Sequence, residues 1–265
     1  MKEGWGLNFN SILLNREGAV CVLTLNRPDT MNALSEELVS EMDQALELVA
    51  GDEEIRVLII TGHEKVFVAG GDIKAMQECD PFQARQYVAP IHNLYNKLER
   101  LPKPTIAAIS GYTLGGGVEL TLACDFRIAA DNAKFGFPEV NLGIFPAAGG
   151  SQRLPRLIGP ARAKELMFTA DIIDAATALS IGLVSQVVLQ EELMKYVQEL
   201  AEKLAKKAPV ALRMLKESIH AGSDIDLQTG LVLEVEKFCH LFSTRDQKEG
   251  MTAFVERRKP VFIGK

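Results

Sequence analysis

An α/β core followed by a helical C-terminal region is the fold class that this 265-residue chain predicts. Three observations carry it. Short β-branched, apolar runs recur in the first half. Amphipathic helical stretches alternate with them in strand, helix, strand order. From Pro160 onward the pattern is nearly all helical.

The first run, Ala19 to Leu25, reads as a buried strand, broken by Asn26-Arg27-Pro28-Asp29. Ser35 then caps a helix with Glu36 and Glu37 in its first turn. Leu38, Met42, Ala45, Leu46 and Val49 form its apolar face, and it ends at Gly51. Ile55 to Thr61 is a second strand, so the order implies a parallel crossover. Lys74 to Cys79 is a short helix and Gln83 to Leu101 a long one. Ile106 to Ser110 is a strand, Val118 to Ala123 a helix, and Phe126 to Ala129 a strand. Glu191 to Lys206 puts Leu193, Val197, Leu200 and Leu204 on one stripe, Pro209 opens a helix, and Thr244 with Gln247 forms a capping box. Structural rhythm repeats without a fixed sequence period. A loose boundary near residue 200 divides a core, 1–200, from a helical part, 201–265.

A hydrophobic fraction of 47% and a charged fraction of 24% suit a soluble globular enzyme, and a net charge of −6 argues against nucleic acid as the partner. No apolar run reaches the ~20 residues of a membrane helix. Met1 to Asn15 lacks the features of a leader peptide, which makes the cytoplasm the expected location. Cys21, Cys79, Cys124 and Cys239 form no C-x-x-C pair, and buried inert thiols are expected.

The chemistry concentrates in two segments. Between Pro104 and Cys124 only Glu119 is charged, two residues after Gly115-Gly116-Gly117. From Phe135 to Gln152 only Glu139 is charged. Ionised carboxylates are costly to bury, so two of them alone in apolar, glycine-rich segments read as a general acid/base pair. Val68 to Lys74 and Gly111 to Glu119 each follow a strand and open a helix. One such glycine run reads as a tight turn; two in matching context can present N–H donors to one point, an oxyanion hole. Dinucleotide, phosphate-loop and nucleophile-elbow spacings are absent, and His63, His92, His220 and His240 have no metal-ligand spacing. Asp72 reads as a helix cap and Asp125 as a structural hydrogen-bonding group.

These motifs, in order, resemble the crotonase (enoyl-CoA hydratase/isomerase) superfamily. The landmarks are Asn26-Arg27-Pro28 with Asn32-Ala33-Leu34, Ala69 to Lys74, Gly111 to Glu119, Phe135 to Glu139, Gly149 to Leu154, Gly182-Leu183-Val184, and Gly250 to Phe254 with Arg257 to Pro260. The resemblance implies a spiral of repeated ββα units, a C-terminal trimerisation region that also covers the site, and a trimer or dimer of trimers. It implies an acyl-CoA substrate, no separate cofactor and a place in fatty-acid β-oxidation. The N–H groups of Gly71 and Gly116 match the oxyanion hole. Arg27, Met31, Ala33, Ala69, Gly71, Asp72, Ile73, Lys74 and Gly116 match segments that line the coenzyme A thioester. Glutamates at 119 and 139 match the hydratases, which add water to a 2-enoyl thioester. A Δ3,Δ2-isomerase, a thioester hydrolase or a ring-acyl hydratase of the same fold is the alternative, and a non-catalytic binding protein a more distant one. Which glutamate activates water stays open, since both can touch the same one. Ala147 departs from the glycine of many relatives, which reshapes the acyl pocket. The basic run Arg257-Arg258-Lys259, with Lys74, is suited to phosphates.

Overall fold

The computed structural model describes residues 9–265; the first part of the Met1–Asn15 stretch lies outside them. Two strands, β1 (Ile12–Glu17) and β2 (Val20–Leu25), pair antiparallel across a turn at Gly18, whose φ of 61° favours glycine. Helix α1 (Glu36–Gly51) starts where read: the Ser35 hydroxyl accepts from the Leu38 N–H, and the expected apolar face is buried.

Three turns of a spiral follow. In the first, β3 (Val57–Thr61) and β4 (Val66–Ala69) lead to α2 (Ile73–Met76) and α3 (Pro81–Glu99). In the second, β5 (Thr105–Ile109) and β6 (Tyr112–Leu114) lead to α4 (Gly116–Leu122). In the third, β7 (Phe126–Ala130) and β8 (Lys134–Gly136) lead to α5 (Gly150–Ile158) and α6 (Pro160–Thr169). The first strand of each turn joins one sheet and the second strand another. β3, β5 and β7 stack in parallel, as do β4, β6 and β8. This is the ββα spiral. Every residue of β3 and β5 is buried, as parallel strands covered on both faces require.

Two short strands correct the nearly all-helical reading beyond Pro160. β9 (Ile173–Asp174) pairs antiparallel with β8 and, after α7 (Ala175–Ser180), β10 (Gln186–Val188) pairs parallel with β7. The sheets thus run β1-β2-β3-β5-β7-β10 and β4-β6-β8-β9. Strands of two or three residues leave almost no period to read.

Helix α8 (Leu193–Ala205) lays Leu193, Val197 and Ala201 on Val20, Val57, Ile59, Ile106 and Ile128 of the larger sheet. Each large apolar side chain buried there contributes about 1.5–3 kcal/mol, so Val197→Asp would detach the helix. Helices α9 (Pro209–Gly222) and α10 (Leu227–Leu241) have no buried residue, and Leu215, Ile219, Val232, Val235 and Phe238 are exposed. In α11 (Arg245–Val255) the Thr244 hydroxyl accepts from the Gln247 N–H, but Gln247 Nε2 turns to Met251 Sδ. The capping box is therefore half made. The full one is at α3, between Asp80 and Gln83. Buried thiols are found at Cys21 and Cys124 only; Cys79 is half-buried and Cys239 is exposed on α10.

Candidate active site

The two glycine turns meet at Leu34. Its N–H donates to the Gly70 carbonyl at 3.0 Å, and Leu34 and Gly71 form a parallel bridge. On the other side, a Cβ on Gly116 would lie 2.5 Å from Leu34 Cδ1. Gly115 has φ 50° and ψ −117°, a conformation that side chains disfavour, and its N–H donates to Gly136 O at 2.9 Å. Gly116 is the first residue of α4, where helix geometry leaves the N–H without an intrahelical acceptor. A Cβ on Gly117 would meet Val68 O at 2.3 Å, so this glycine lets α4 sit directly on β4. Gly71 and Gly116 are thus brought to one residue, Gly71 along the Leu34 backbone and Gly116 against its side chain. Asp72 caps α2, accepting from the Lys74 and Ala75 N–H groups.

Glu119 stands one turn into α4 and is 3% exposed. Its Oε1 accepts from the Gly150 N–H at 2.6 Å and the Ala148 N–H at 2.8 Å. Burial pushes the carboxyl up to about 7. The Gly150 N–H opposes this, the Glu139 charge adds to it, and the Ala148 N–H and the Arg153 charge oppose it. Gly150 must be glycine, since a Cβ there would sit 2.8 Å from Glu119 Oε1. Glu139 lies in the short helical turn Pro138–Leu142, and its Oε1 is 2.1 Å from where a Gly115 Cβ would be. Its Oε2 is buried and has no hydrogen-bond partner among the described residues. Burial raises its pKa too.

A support that sequence reasoning missed underlies Glu119. Arg153 donates from Nε and Nη2 to Glu99 at 2.9 and 2.8 Å and to Asn96 Oδ1 at 2.8 Å. Its backbone N–H donates to Gly149 O at 2.8 Å, and a Cβ on Gly149 would strike its Nη1 at 2.2 Å. The turn that offers two N–H groups to Glu119 is therefore fastened to α3. The signal was available: Arg153 stands in the motif Gly149 to Leu154, but Glu99 lies far off in sequence.

The residues matched to the coenzyme gather on one rim. Arg27 Nη1 donates to Ala33 O at 2.7 Å, and the Ala69 N–H donates to Met31 O at 3.1 Å. Met31 and Ile73 are 56% and 47% exposed, and Lys74 is exposed beside them. Asn32, fully buried with φ 54°, locks this rim: it accepts from the Arg27 N–H and donates to Phe67 O. The basic run is less free than its sequence implies, because Arg258 is ion-paired to Glu249 and Glu256. Among the described residues no group of His, Cys, Asp and Glu is placed to hold a metal ion, and no helix is long and apolar enough to cross a membrane.

The geometry suits a reaction in which negative charge grows on a carbonyl oxygen while two carboxyl groups move protons. Known proteins with this pattern are close. The short-chain enoyl-CoA hydratase of Clostridium acetobutylicum is 46% identical over 254 residues, covering 96% of this chain and 97% of that one. The crotonyl-CoA hydratase of Syntrophomonas wolfei is 46% identical over 258 residues, covering 97% and 99%. The crystal structure of an enoyl-CoA hydratase from Bacillus anthracis superposes with a TM-score of 0.93 at 43% identity, covering 97% of this chain and all of that one. Residues 15–265 match the enoyl-CoA hydratase/isomerase family, and the chain belongs to that family.

Proposed function

We propose that this protein is an enoyl-CoA hydratase, adding water reversibly to a 2-enoyl-CoA thioester to give a 3-hydroxyacyl-CoA. The observation that carries the reading is the pair formed by buried Glu119 and half-buried Glu139 at adjacent glycines of one turn, both with raised pKa. The names of the two bacterial hydratases support a short acyl chain, and hydration of a 2-enoyl-CoA is a reaction that fatty-acid β-oxidation uses.

The thioester oxygen sits between the N–H groups of Gly71 and Gly116. Glu119, with one oxygen held, uses the other to take a proton from water as its oxygen bonds to C3. The C2–C3 π pair moves through C1 onto the thioester oxygen, where the two N–H donors hold the enolate. Glu139, whose pKa burial raises, then gives a proton to C2 as the enolate collapses. Its Oε2, without a hydrogen-bond partner among the described residues, is the atom that makes that transfer. Arg27, Met31, Ala33, Ala69, Asp72, Ile73 and Lys74 line the coenzyme, with Lys74 meeting phosphate.

The uncovered apolar residues of α9 and α10 support assembly into a trimer or a dimer of trimers, since so large an exposed apolar face marks a protein interface. The test is a panel of 2-enoyl-CoA thioesters followed by loss of conjugated-enoyl absorbance. Hydration of at least the short members is expected; no hydration of any member would overturn the reading.

A further inference from the structure

Helix α3 sends two tyrosine hydroxyls to the backbone around the two glycines that carry the N–H donors. Tyr87 accepts from the Asp72 N–H at 2.9 Å and donates to Leu34 O at 2.9 Å. Tyr95, fully buried, donates to Gly116 O at 2.8 Å. These bonds fix peptides that flank the donor residues. At Gly71, the preceding carbonyl is held by the Leu34 N–H and the following N–H by Tyr87, so both peptide planes on its Cα are tied. At Gly116, the preceding residue is fastened by the Gly115 N–H to Gly136 O, and the following carbonyl by Tyr95.

The two tyrosines are eight residues apart on one helix, close to two turns and hence near one face. Pro90 between them leaves one helical N–H missing, and α3 still continues to Glu99. The same helix holds Arg153 through Asn96 and Glu99. One element thereby braces both glycine turns and the turn that holds Glu119. A hydroxyl so far from solvent as that of Tyr95 has no reason to be there for solubility; leucine or phenylalanine would fill the space without a polar atom to satisfy.

We infer that Tyr87 and Tyr95 are positioning residues for the oxyanion hole, with α3 the rigid bar that sets the two donors relative to each other. The inference rests on the hydratase reading above. Donor placement matters because stabilisation of a developing oxyanion depends on N–H groups aimed in advance. Loss of either hydroxyl leaves the donors present but loosely aimed. It costs transition-state stabilisation more than ground-state binding.

The experiment uses full-length Tyr87→Phe and Tyr95→Phe with two readouts. The first is steady-state hydration of a short 2-enoyl-CoA. The second is the absorbance of a bound aryl-conjugated 2-enoyl-CoA, whose red shift reports polarisation of its carbonyl. Each variant is expected to lower kcat about threefold to tenfold, as one hydrogen bond warrants, with KM within about twofold and a reduced red shift. The pH profile should keep its wild-type midpoints, because burial raises the pKa of both phenols and keeps them neutral. Should Tyr95→Phe fail to fold, the half-buried Tyr87→Phe carries the test. Wild-type hydration with a full red shift in the variants as well would overturn this inference alone. A wild-type protein that neither hydrates nor polarises the ligand would overturn the hydratase reading and this inference with it.

Discussion

Glu119 and Glu139 reach adjacent glycines of one turn, yet they are held in opposite ways. Glu119 Oε2 lies 3.9 Å from the Cβ position of Gly116, while its Oε1 is fixed by two N–H groups. Glu139 Oε1 presses on Gly115, and its Oε2 has no partner among the described residues. One carboxylate is anchored and the other is left with a free oxygen. That asymmetry is the basis of the proposed roles, with Glu119 taking the water proton and Glu139 serving the carbon.

The burial of Glu119 has a stability signature. Its folded pKa, about 7, lies above the ordinary 4.5, so between those values the folded protein keeps a proton that the unfolded chain has lost. Its contribution is therefore most favourable at low pH and declines as pH rises through about 7. Glu119→Gln removes this dependence. Denaturant unfolding at pH 5 and pH 8 should show the variant gaining on wild type by on the order of 2 kcal/mol at the higher pH. A pH-independent difference would mean that burial does not raise the Glu119 pKa.

Arg153→Met should move the acid limb of the hydration profile to higher pH, because the Arg153 charge favours ionised Glu119. It should also destabilise the fold by about 3 kcal/mol, since it leaves Glu99 half-buried without its cation. An unmoved limb in a folded variant would detach Arg153 from the site.

Neighbouring glycines should fail in different ways. Gly116→Val presses on the end of the Leu34 side chain and should lower turnover about a hundredfold while the protein still folds. Gly117→Ala meets backbone at Val68 and should instead lower the melting temperature. Equal turnover for Gly116→Val and wild type would place the oxyanion hole elsewhere.

Among the cations, Lys74 is exposed on the rim, whereas Arg258 is occupied by Glu249 and Glu256. Calorimetry with coenzyme A should therefore show weaker, less salt-sensitive binding for Lys74→Ala and a smaller change for Arg258→Ala. The reverse order would return the phosphate to the C-terminal run.

The legible part of this fold was what local chemistry writes. Ser35 before two glutamates and the continuous apolar runs of β3 and β5 gave their elements to within a residue or two. The strands β6, β8 and β10, three residues each, were invisible because their pairing is made by partners distant in sequence. The site followed the same division. Glu119, Glu139 and the glycines stood out as exceptions to their surroundings. The Ala148 and Gly150 N–H groups, the Glu99–Arg153 pair and the two tyrosine hydroxyls act through contacts that no local pattern encodes.

The most direct test is steady-state hydration of a short 2-enoyl-CoA by wild type, Glu119→Gln, Glu139→Gln and the double variant. The 3-enoyl isomer is run alongside. Glutamine keeps the shape and removes the charge, so all four should bind acyl-CoA. Each single variant should hydrate about 10² to 10⁴-fold more slowly, and the double should be little worse than the poorer single, since both act in one proton relay. Any isomerase side activity should survive Glu119→Gln better than Glu139→Gln. A single variant that hydrates at close to the wild-type rate would make that glutamate structural and contradict the mechanism.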